Sequence, residues 1–415
     1  MNAIEQICIK AKTATQQMGK LSAQAKTVAL NKMATAIEVN TEKILTANNL
    51  DVQAAKAKGL KPALLDRLLL DQKKIQTMAN ELREVAALPD PIGNVLATTI
   101  QPNGLIISQI RVPLGVVGVI YESRPNVTSD AAGICIKSGN TVILRGGSDA
   151  LNSNVAICDV LREALSSTEI PVDAIQIVSS PERSAAEELM GMRDYIDVLI
   201  PRGGADLINT VVEKSRIPVI ETGTGNCHIY VAQDADLAMA STIVLNAKIQ
   251  RPGVCNAAEK LLVHRDIAKQ YLPDIIAQLQ QHGVEIRGDR ETCQIAADVK
   301  EAIEQDWYRE YLDLIIAIKV VGSLPEAILH INKYGTHHSE SIVTKDFVKA
   351  TQFLKEIDSA AVYWNASTRF TDGNQFGLGA EIGVSTQKLH ARGPMSLLHL
   401  TTIKYVIVGQ GQIRK

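Results

Sequence analysis

Apolar and polar positions change rhythm several times along the 415-residue chain. Up to about residue 90, Ala, Leu, Ile and Met recur at helical spacing among Lys, Gln and Glu, which predicts a helical lead-in. Asn40-Thr41-Glu42-Lys43 and Asn48-Asn49-Leu50-Asp51 interrupt that rhythm and predict breaks between helices. Residues 96–100 and 105–110 then flank Gln101-Pro102-Asn103-Gly104. Their β-branched content and the positive φ angles that Asn-Gly supplies predict a hairpin. From Val116 onward short apolar runs at 116–121, 141–144, 175–178, 198–200, 219–220 and 228–231 alternate with helical stretches. That alternation predicts a parallel sheet with helices on both faces. A second α/β stretch runs from about 234 to 363, with 314–321 as its most continuous buried strand, and is expected to form a separate lobe. The tail, 400–408, reads as one more strand, expected to pair with the hairpin within or between subunits.

Composition narrows what such a chain does. Hydrophobic residues make up 46% and charged residues 21%, enough to bury a large core in two or three domains. A formal charge of -2 gives no long-range attraction for phosphate backbones or anionic lipid, so neither nucleic acid nor membrane is an expected partner. The start of the chain lacks the basic-then-apolar order of a secretory signal, and no apolar run reaches membrane-spanning length; a cytoplasmic protein is expected. The six cysteines are scattered without a Cys-x-x-Cys pair, so neither a disulfide framework nor a metal site is expected.

One cysteine has a distinctive setting, Gln250-Arg251-Pro252-Gly253-Val254-Cys255-Asn256. Pro and Gly bend the chain before the thiol and an apolar run follows it, so Cys255 is expected on a fixed loop at a strand's entrance, where a nucleophile is held. A cysteine in an α/β protein is otherwise a small buried hydrophobe.

Two glycine turns follow predicted strands and precede helical stretches: Arg145-Gly146-Gly147-Ser148 and Arg202-Gly203-Gly204-Ala205. Backbone amides at helix starts favour phosphate oxygens, and arginines there suit a dinucleotide, including the 2'-phosphate that separates NADP from NAD. A tight turn explains either one equally well, and no G-x-G-x-x-G is present. In Tyr121-Glu122-Ser123-Arg124-Pro125-Asn126, Asn126 falls at a strand's carboxyl end, as an oxyanion donor or as a turn former or helix cap.

These segments, with Val362-Tyr363-Trp364-Asn365-Ala366-Ser367-Thr368-Arg369 and Ser385-Thr386-Gln387-Lys388-Leu389-His390-Ala391-Arg392-Gly393-Pro394, together resemble the gamma-glutamyl phosphate reductases of the aldehyde dehydrogenase superfamily, in order and over the whole length. The resemblance implies an α/β, aldehyde dehydrogenase-like fold: a Rossmann-type cofactor domain (1–96, 111–232 and 366–397), an α/β catalytic domain (233–365) and a small β oligomerisation element (97–110 and 398–415).

It also implies chemistry. NADPH-dependent reduction of gamma-glutamyl phosphate to glutamate 5-semialdehyde would pass through a Cys255 thioester, with Asn126 and the Cys255 amide as oxyanion donors. Arg145, Gly146, Gly147, Ser148, Arg202, Gly203, Gly204 and Glu310 would meet the cofactor, and NADP is favoured over NAD. Arg251, Glu221, Arg369, His390 and Arg392 would face the substrate. A homo-oligomer, dimer or tetramer, and a functional association with glutamate 5-kinase are also implied. Glu221 keeps a second reading open, a non-phosphorylating aldehyde dehydrogenase in which it activates water; a nucleotide-binding protein without turnover is the third.

Overall fold

Long apolar runs bounded by glycine turns leave this chain few ways to bury itself other than under parallel sheets. The structure, a computed structural model, describes residues 2–60, 62–296 and 298–414. It divides into two units: residues 2–222 with Gly377–Gly383 and 395–414, and Gly223–Phe376 with Val384–Pro394.

In the first unit a parallel sheet runs in the order Ile175–Ile177, Thr141–Gly146, Val116–Tyr121, Val198–Arg202. All of Val116–Tyr121 and Thr141–Gly146 is buried, as expected for strands covered on both faces. Each fully buried Val, Leu or Ile contributes roughly 1.5–3 kcal/mol relative to exposure. The lead-in forms the helices Ala3–Met18, Ala23–Val39, Thr41–Ala57, Pro62–Leu68 and Gln72–Ala87. The expected break at Asn40 is there, but the break expected at 48–51 is absent: the helix Thr41–Ala57 runs straight through it. Asn48 and Asp51 are polar for a tertiary reason. Asn48 donates to the Leu68 carbonyl (2.9 Å) and accepts from the Leu70 amide (2.8 Å), while Asp51 accepts from the Ser153 amide at 2.7 Å.

The hairpin forms from Val95–Ile100 and Ile106–Pro113, antiparallel, and the tail strand Thr401–Val408 pairs with the second of these within the chain. Apolar side chains are exposed on both faces of this three-stranded sheet, Ile100, Ile106 and Val408 on one and Tyr405 and Ile407 on the other.

The second unit holds a seven-stranded, all-parallel sheet in the order Lys300–Glu301, Glu285–Gly288, Ile315–Val321, Ala258–His264, Cys227–Val231, Ser339–Val343, Ala361–Trp364. Here the single sheet expected from 116 to 231 is corrected. Cys227–Val231 pairs with Ala258–His264 and Ser339–Val343, and Val219 makes only an isolated bridge to Leu199. Hydrophobic periodicity reports burial and not pairing partner, and residues 221–226, free of helix or strand, separate the two sheets. Among the described residues no helix is long and apolar enough to cross a membrane.

One carboxylate ties the carboxyl ends of two adjacent strands in this unit. Asp234 accepts from Thr344 Oγ1 (2.8 Å) and the amides of Lys345 (2.8 Å) and Asp346 (2.9 Å), and Lys349 Nζ lies 2.8 Å away. Burial alone would raise its pKa, but the bonds from Lys349, Thr344 and Lys345 outweigh that and hold it well below the usual carboxylate range. A depressed carboxyl stabilises the fold above the unfolded value, about 3.9, and loses that contribution as pH falls towards the folded value. Asp234→Ala is therefore expected to lose about 2–3 kcal/mol at neutral pH, with the gap to the parent narrowing below about pH 4, as read by denaturant melts across pH.

Candidate active site

In the second unit the Cys255 loop leads directly into the strand Ala258–His264. Its conformation is set by contact with the segment Gly225-Asn226-Cys227. The Gly225 backbone lies so close that a Cβ there would fall 1.4 Å from the Cys255 carbonyl oxygen and 2.8 Å from its Cα. The Cys227 thiol donates to the same carbonyl at 3.1 Å. On the other side of the thiol, Asn256 donates through Nδ2 to the Thr371 carbonyl (2.9 Å) and its own carbonyl accepts from Thr368 Oγ1 (2.7 Å). Cys255 is thus held from both flanks by backbone groups, and its side chain is half-buried.

The Gly225 segment is itself pinned. Its amide donates to Glu310 Oε1 at 2.7 Å; the Asn226 amide donates to Thr336 Oγ1 at 2.9 Å, and Asn226 Nδ2 donates to the carbonyls of Trp307 and Tyr334, both at 2.7 Å. Glu310 stands in a turn fixed from below by two buried charges. Lys260 Nζ donates to the Arg309 carbonyl (2.7 Å), and Glu259 accepts the amides of Tyr311 and Leu312 (3.2 Å each). Burial pushes Glu259 up to about 7 against the pull of Lys248 and Lys260, and pushes Lys260 down to about 7 against the pull of Glu259. These hydrogen bonds make the buried charges tolerable.

Positive charge gathers at the thiol. Arg369 is half-buried, donates through Nε to Gln250 Oε1 at 3.0 Å, and lies within electrostatic reach of Arg251 and Cys255. Arg251 is exposed and makes no ion pair with another described residue. Arg392 instead pairs with Asp358 at 2.9 Å, a carboxylate that Lys388 also meets at 2.7 Å. His390 is exposed in that loop, with φ 68°. Arg251, Arg369 and Glu310 therefore gather round the Cys255 loop, whereas Arg392 is bound to Asp358.

In the first unit both Arg-Gly-Gly turns lead to helix starts that already meet a protein carboxylate. Glu122 accepts the Gly204 amide at 2.9 Å ahead of the helix Ala205–Lys214. Asp51 accepts the amides of Asn152 (3.2 Å) and Ser153 (2.7 Å) at the start of Leu151–Leu165. The short helix Ser148–Ala150 precedes the latter, and Ser123 donates to Asp149 across the Gly147 turn. Arg145 is mostly buried, donates to the Glu182 carbonyl at 3.1 Å, and has its Nε without a hydrogen-bond partner. Burial and the neighbouring Arg183 both lower its pKa. Arg202 ends the strand Val198–Arg202, its guanidinium against Gly383. Glu221 is half-buried, next to Thr222, whose hydroxyl donates to the Pro201 carbonyl at 2.7 Å. Asn126 begins the helix Val127–Lys137 without capping it, and its Nδ2 donates to Asp130 at 2.8 Å.

Sequence reasoning passed over Gly225, Cys227, Glu122 and Asp51. The run Gly223-Thr224-Gly225-Asn226 was the available signal for the first two, since closely spaced glycines mark close backbone approach.

The chain matches the aldehyde dehydrogenase family over residues 1–313. Among curated proteins it is 58% identical over 414 residues to a gamma-glutamyl phosphate reductase of Carboxydothermus hydrogenoformans, covering 100% of both chains. A gamma-glutamyl phosphate reductase of Caldanaerobacter subterraneus subsp. tengcongensis is 57% identical over 406 residues, 98% of both chains. The crystal structure of gamma-glutamyl phosphate reductase from Thermotoga maritima superposes with a TM-score of 0.97 at 50% identity, covering 100% of both chains. The chain belongs to the aldehyde dehydrogenase family and, within it, to the gamma-glutamyl phosphate reductases.

The packing of Gly225 yields a direct test. Gly225→Ala must displace the Cys255 carbonyl, so it is expected to lower stability by about 1–3 kcal/mol and kcat/KM by tenfold or more. Steady-state rates and a thermal melt of the same preparation check both.

Proposed function

We propose that this chain reduces gamma-glutamyl phosphate to glutamate 5-semialdehyde and inorganic phosphate with NADPH, the second step of proline biosynthesis from glutamate, through a thioester on Cys255. The observation that carries the reading is the clamped Cys255 loop with Arg251 and Arg369 beside it, in a chain that matches proteins named gamma-glutamyl phosphate reductase from end to end.

The substrate is an acyl phosphate, so the thiolate of Cys255 attacks a carbonyl carbon that already carries a good leaving group. The C–O bond to phosphate breaks as the tetrahedral intermediate collapses, and the acyl group stays on sulfur. Arg251 and Arg369 supply the positive potential that a thiolate and a departing phosphate both need. Asn126 and the Cys255 amide donate to the oxyanion, and removing one such donor costs typically about 2.7–4 kcal/mol. Nicotinamide, when bound, supplies the hydride that reduces the thioester. Collapse of the resulting thiohemiacetal returns the thiolate and releases the aldehyde. Glu221 and the Asp358-paired Arg392, with His390, are assigned to the substrate's amine and carboxylate end.

Arg145 supports NADP. Its buried, unpartnered Nε and the adjacent Arg183 make a cationic corner at the end of the strand Thr141–Gly146, the chemistry a ribose 2'-phosphate needs. Because carboxylates already occupy the amides at both helix starts, arginine side chains are the better phosphate contacts. Gly146, Gly147, Ser148, Arg202, Gly203 and Gly204 then shape the backbone around the cofactor, and Glu310 orients it through its hold on Gly225. The exposed apolar sheet is assigned to homo-oligomer contact. A labile acyl phosphate also makes a functional association with glutamate 5-kinase useful.

In the oxidative direction, purified protein is expected to turn over glutamate 5-semialdehyde with NADP only when phosphate or arsenate is present; turnover without either would favour hydrolysis through Glu221 and sink this reading. Arg145→Ala is expected to raise KM for NADP about tenfold or more while changing KM for NAD little, with a melt to confirm folding. An equal change for both cofactors would remove the 2'-phosphate assignment.

A further inference from the structure

The strand Ala258–His264 carries two adjacent charges, Glu259 and Lys260, both fully buried. Strict alternation would send them to opposite faces of the sheet. The pairing with Cys227–Val231 slips at this point: Cys227 faces Ala258 but His228 faces Lys260, so Glu259 is an extra residue, a β-bulge. A bulge re-aims side chains. Here both charges reach one turn, 309–312. Lys260 Nζ donates to the Arg309 carbonyl at 2.7 Å and lies 4.6 Å from the centre of the Tyr311 ring, where an ammonium is favoured. Glu259 accepts the amides of Tyr311 and Leu312, each at 3.2 Å, and Lys248 Nζ, equally buried on the helix Leu237–Ile249, is 3.4 Å away.

The strands Cys227–Val231, Ala258–His264 and Ile315–Val321 are parallel neighbours, so the segments that enter them come to the same edge of the sheet. Those segments are Gly225-Asn226, the Cys255 loop and residues 309–314. Glu310 sits between the carbonyl that Lys260 holds and the amides that Glu259 holds, and its Oε1 accepts the Gly225 amide at 2.7 Å. Gly225 is the residue whose backbone packs on the Cys255 carbonyl. Contacts therefore run without a gap from the buried charges, through the turn and Glu310, to Gly225 and Cys255. A buried ionic cluster adds little net stability compared with apolar side chains of the same size, so stability alone does not account for three fully buried charges at this edge.

We propose that Lys260 and Glu259 are positioning residues: gripping the 309–312 turn from the bulge, they keep Glu310 on the Gly225 amide and so hold Cys255 in its working orientation. The inference rests on the reading of Cys255 as the nucleophile. Neither charge touches the thiol loop itself; each acts through the turn. Losing the grip frees Glu310 to leave the Gly225 amide, and the close approach of Gly225 to Cys255 then loses one of its supports. Misorientation of the nucleophile costs rate and not ground-state binding.

The test pairs amide hydrogen exchange with steady-state kinetics on the full-length protein, the kinetics with glutamate 5-semialdehyde, NADP and phosphate. Lys260→Met keeps an unbranched side chain of similar length and removes the ammonium. It is expected to speed exchange in the peptide containing Gly225 about tenfold or more, and to lower kcat about tenfold with KM for the aldehyde within about twofold. Asp234→Ala loosens the opposite, carboxyl edge of the same sheet and is expected to leave both readouts within about twofold. Glu310→Ala cuts the path one step further on and is expected to reproduce the faster exchange, with Lys260→Met adding less than about twofold to it. Unchanged exchange in Glu310→Ala or in a folded Lys260→Met overturns the proposal. Equal changes in Asp234→Ala also overturn it, because general loss of stability would then explain them. Should Lys260→Met not fold, Glu310→Ala decides alone. Retained turnover in Cys255→Ser removes the nucleophile reading itself, and the positioning role with it, whatever the exchange shows.

Discussion

Gly225 and Cys255 approach one another more closely than any side chain would allow, and much of the second unit is arranged to keep them there. Two separately folded segments must meet at that point. One is the run Gly225-Asn226-Cys227 entering the strand Cys227–Val231; the other is the loop entering the neighbouring strand Ala258–His264. Their parallel pairing sets the spacing, and the bonds to Glu310, Thr336, Trp307, Tyr334, Thr368 and Thr371 set the rest. A thiol on a free loop would lose orientation entropy in every turnover. Here that ordering is built in during folding, supported by a buried sheet whose strands are tied by main-chain bonds.

The same logic of internal satisfaction runs through the first unit. Helix starts that would attract an external anion are met by Glu122 and Asp51, and buried lysines and carboxylates elsewhere have hydrogen-bonding partners. Arg145 is an exception, with a buried Nε that the chain does not satisfy, as are Thr141 Oγ1 and Asn154 Nδ2 in the same unit. An unsatisfied buried donor costs about 1–3 kcal/mol, and such a cost persists where function uses it. On the function proposed above, the arginine, more than the glycine turn that follows it, is the cofactor contact.

The parts legible in the sequence were those that local rules determine. Asn103-Gly104 signalled the hairpin, the alternating tail signalled its third strand, and Pro252-Gly253 ahead of Cys255 signalled a fixed loop. Pairing partners were not legible. Residues 228–231 read correctly as a strand, but their apolar pattern carried nothing about which sheet they would join. Asn48 and Asp51 read as helix breakers because short polar side chains compete with the backbone locally; tertiary partners some 20 to 100 residues away reverse that meaning. Cys227 was hidden for a related reason. Its thiol bonds a carbonyl 28 residues on, a contact that exists only after the two strands pair.

The central claim is that the clamped Cys255 carries the acyl group and passes it to phosphate. Mass spectrometry of the intact protein and of its peptides, after reaction with glutamate 5-semialdehyde and NADP in the absence of phosphate, tests it most directly. The account predicts one glutamyl adduct, on the peptide containing Cys255, that persists in phosphate-free buffer and is discharged when phosphate is added. An adduct on any other residue, or one that water removes as fast as phosphate does, would contradict it.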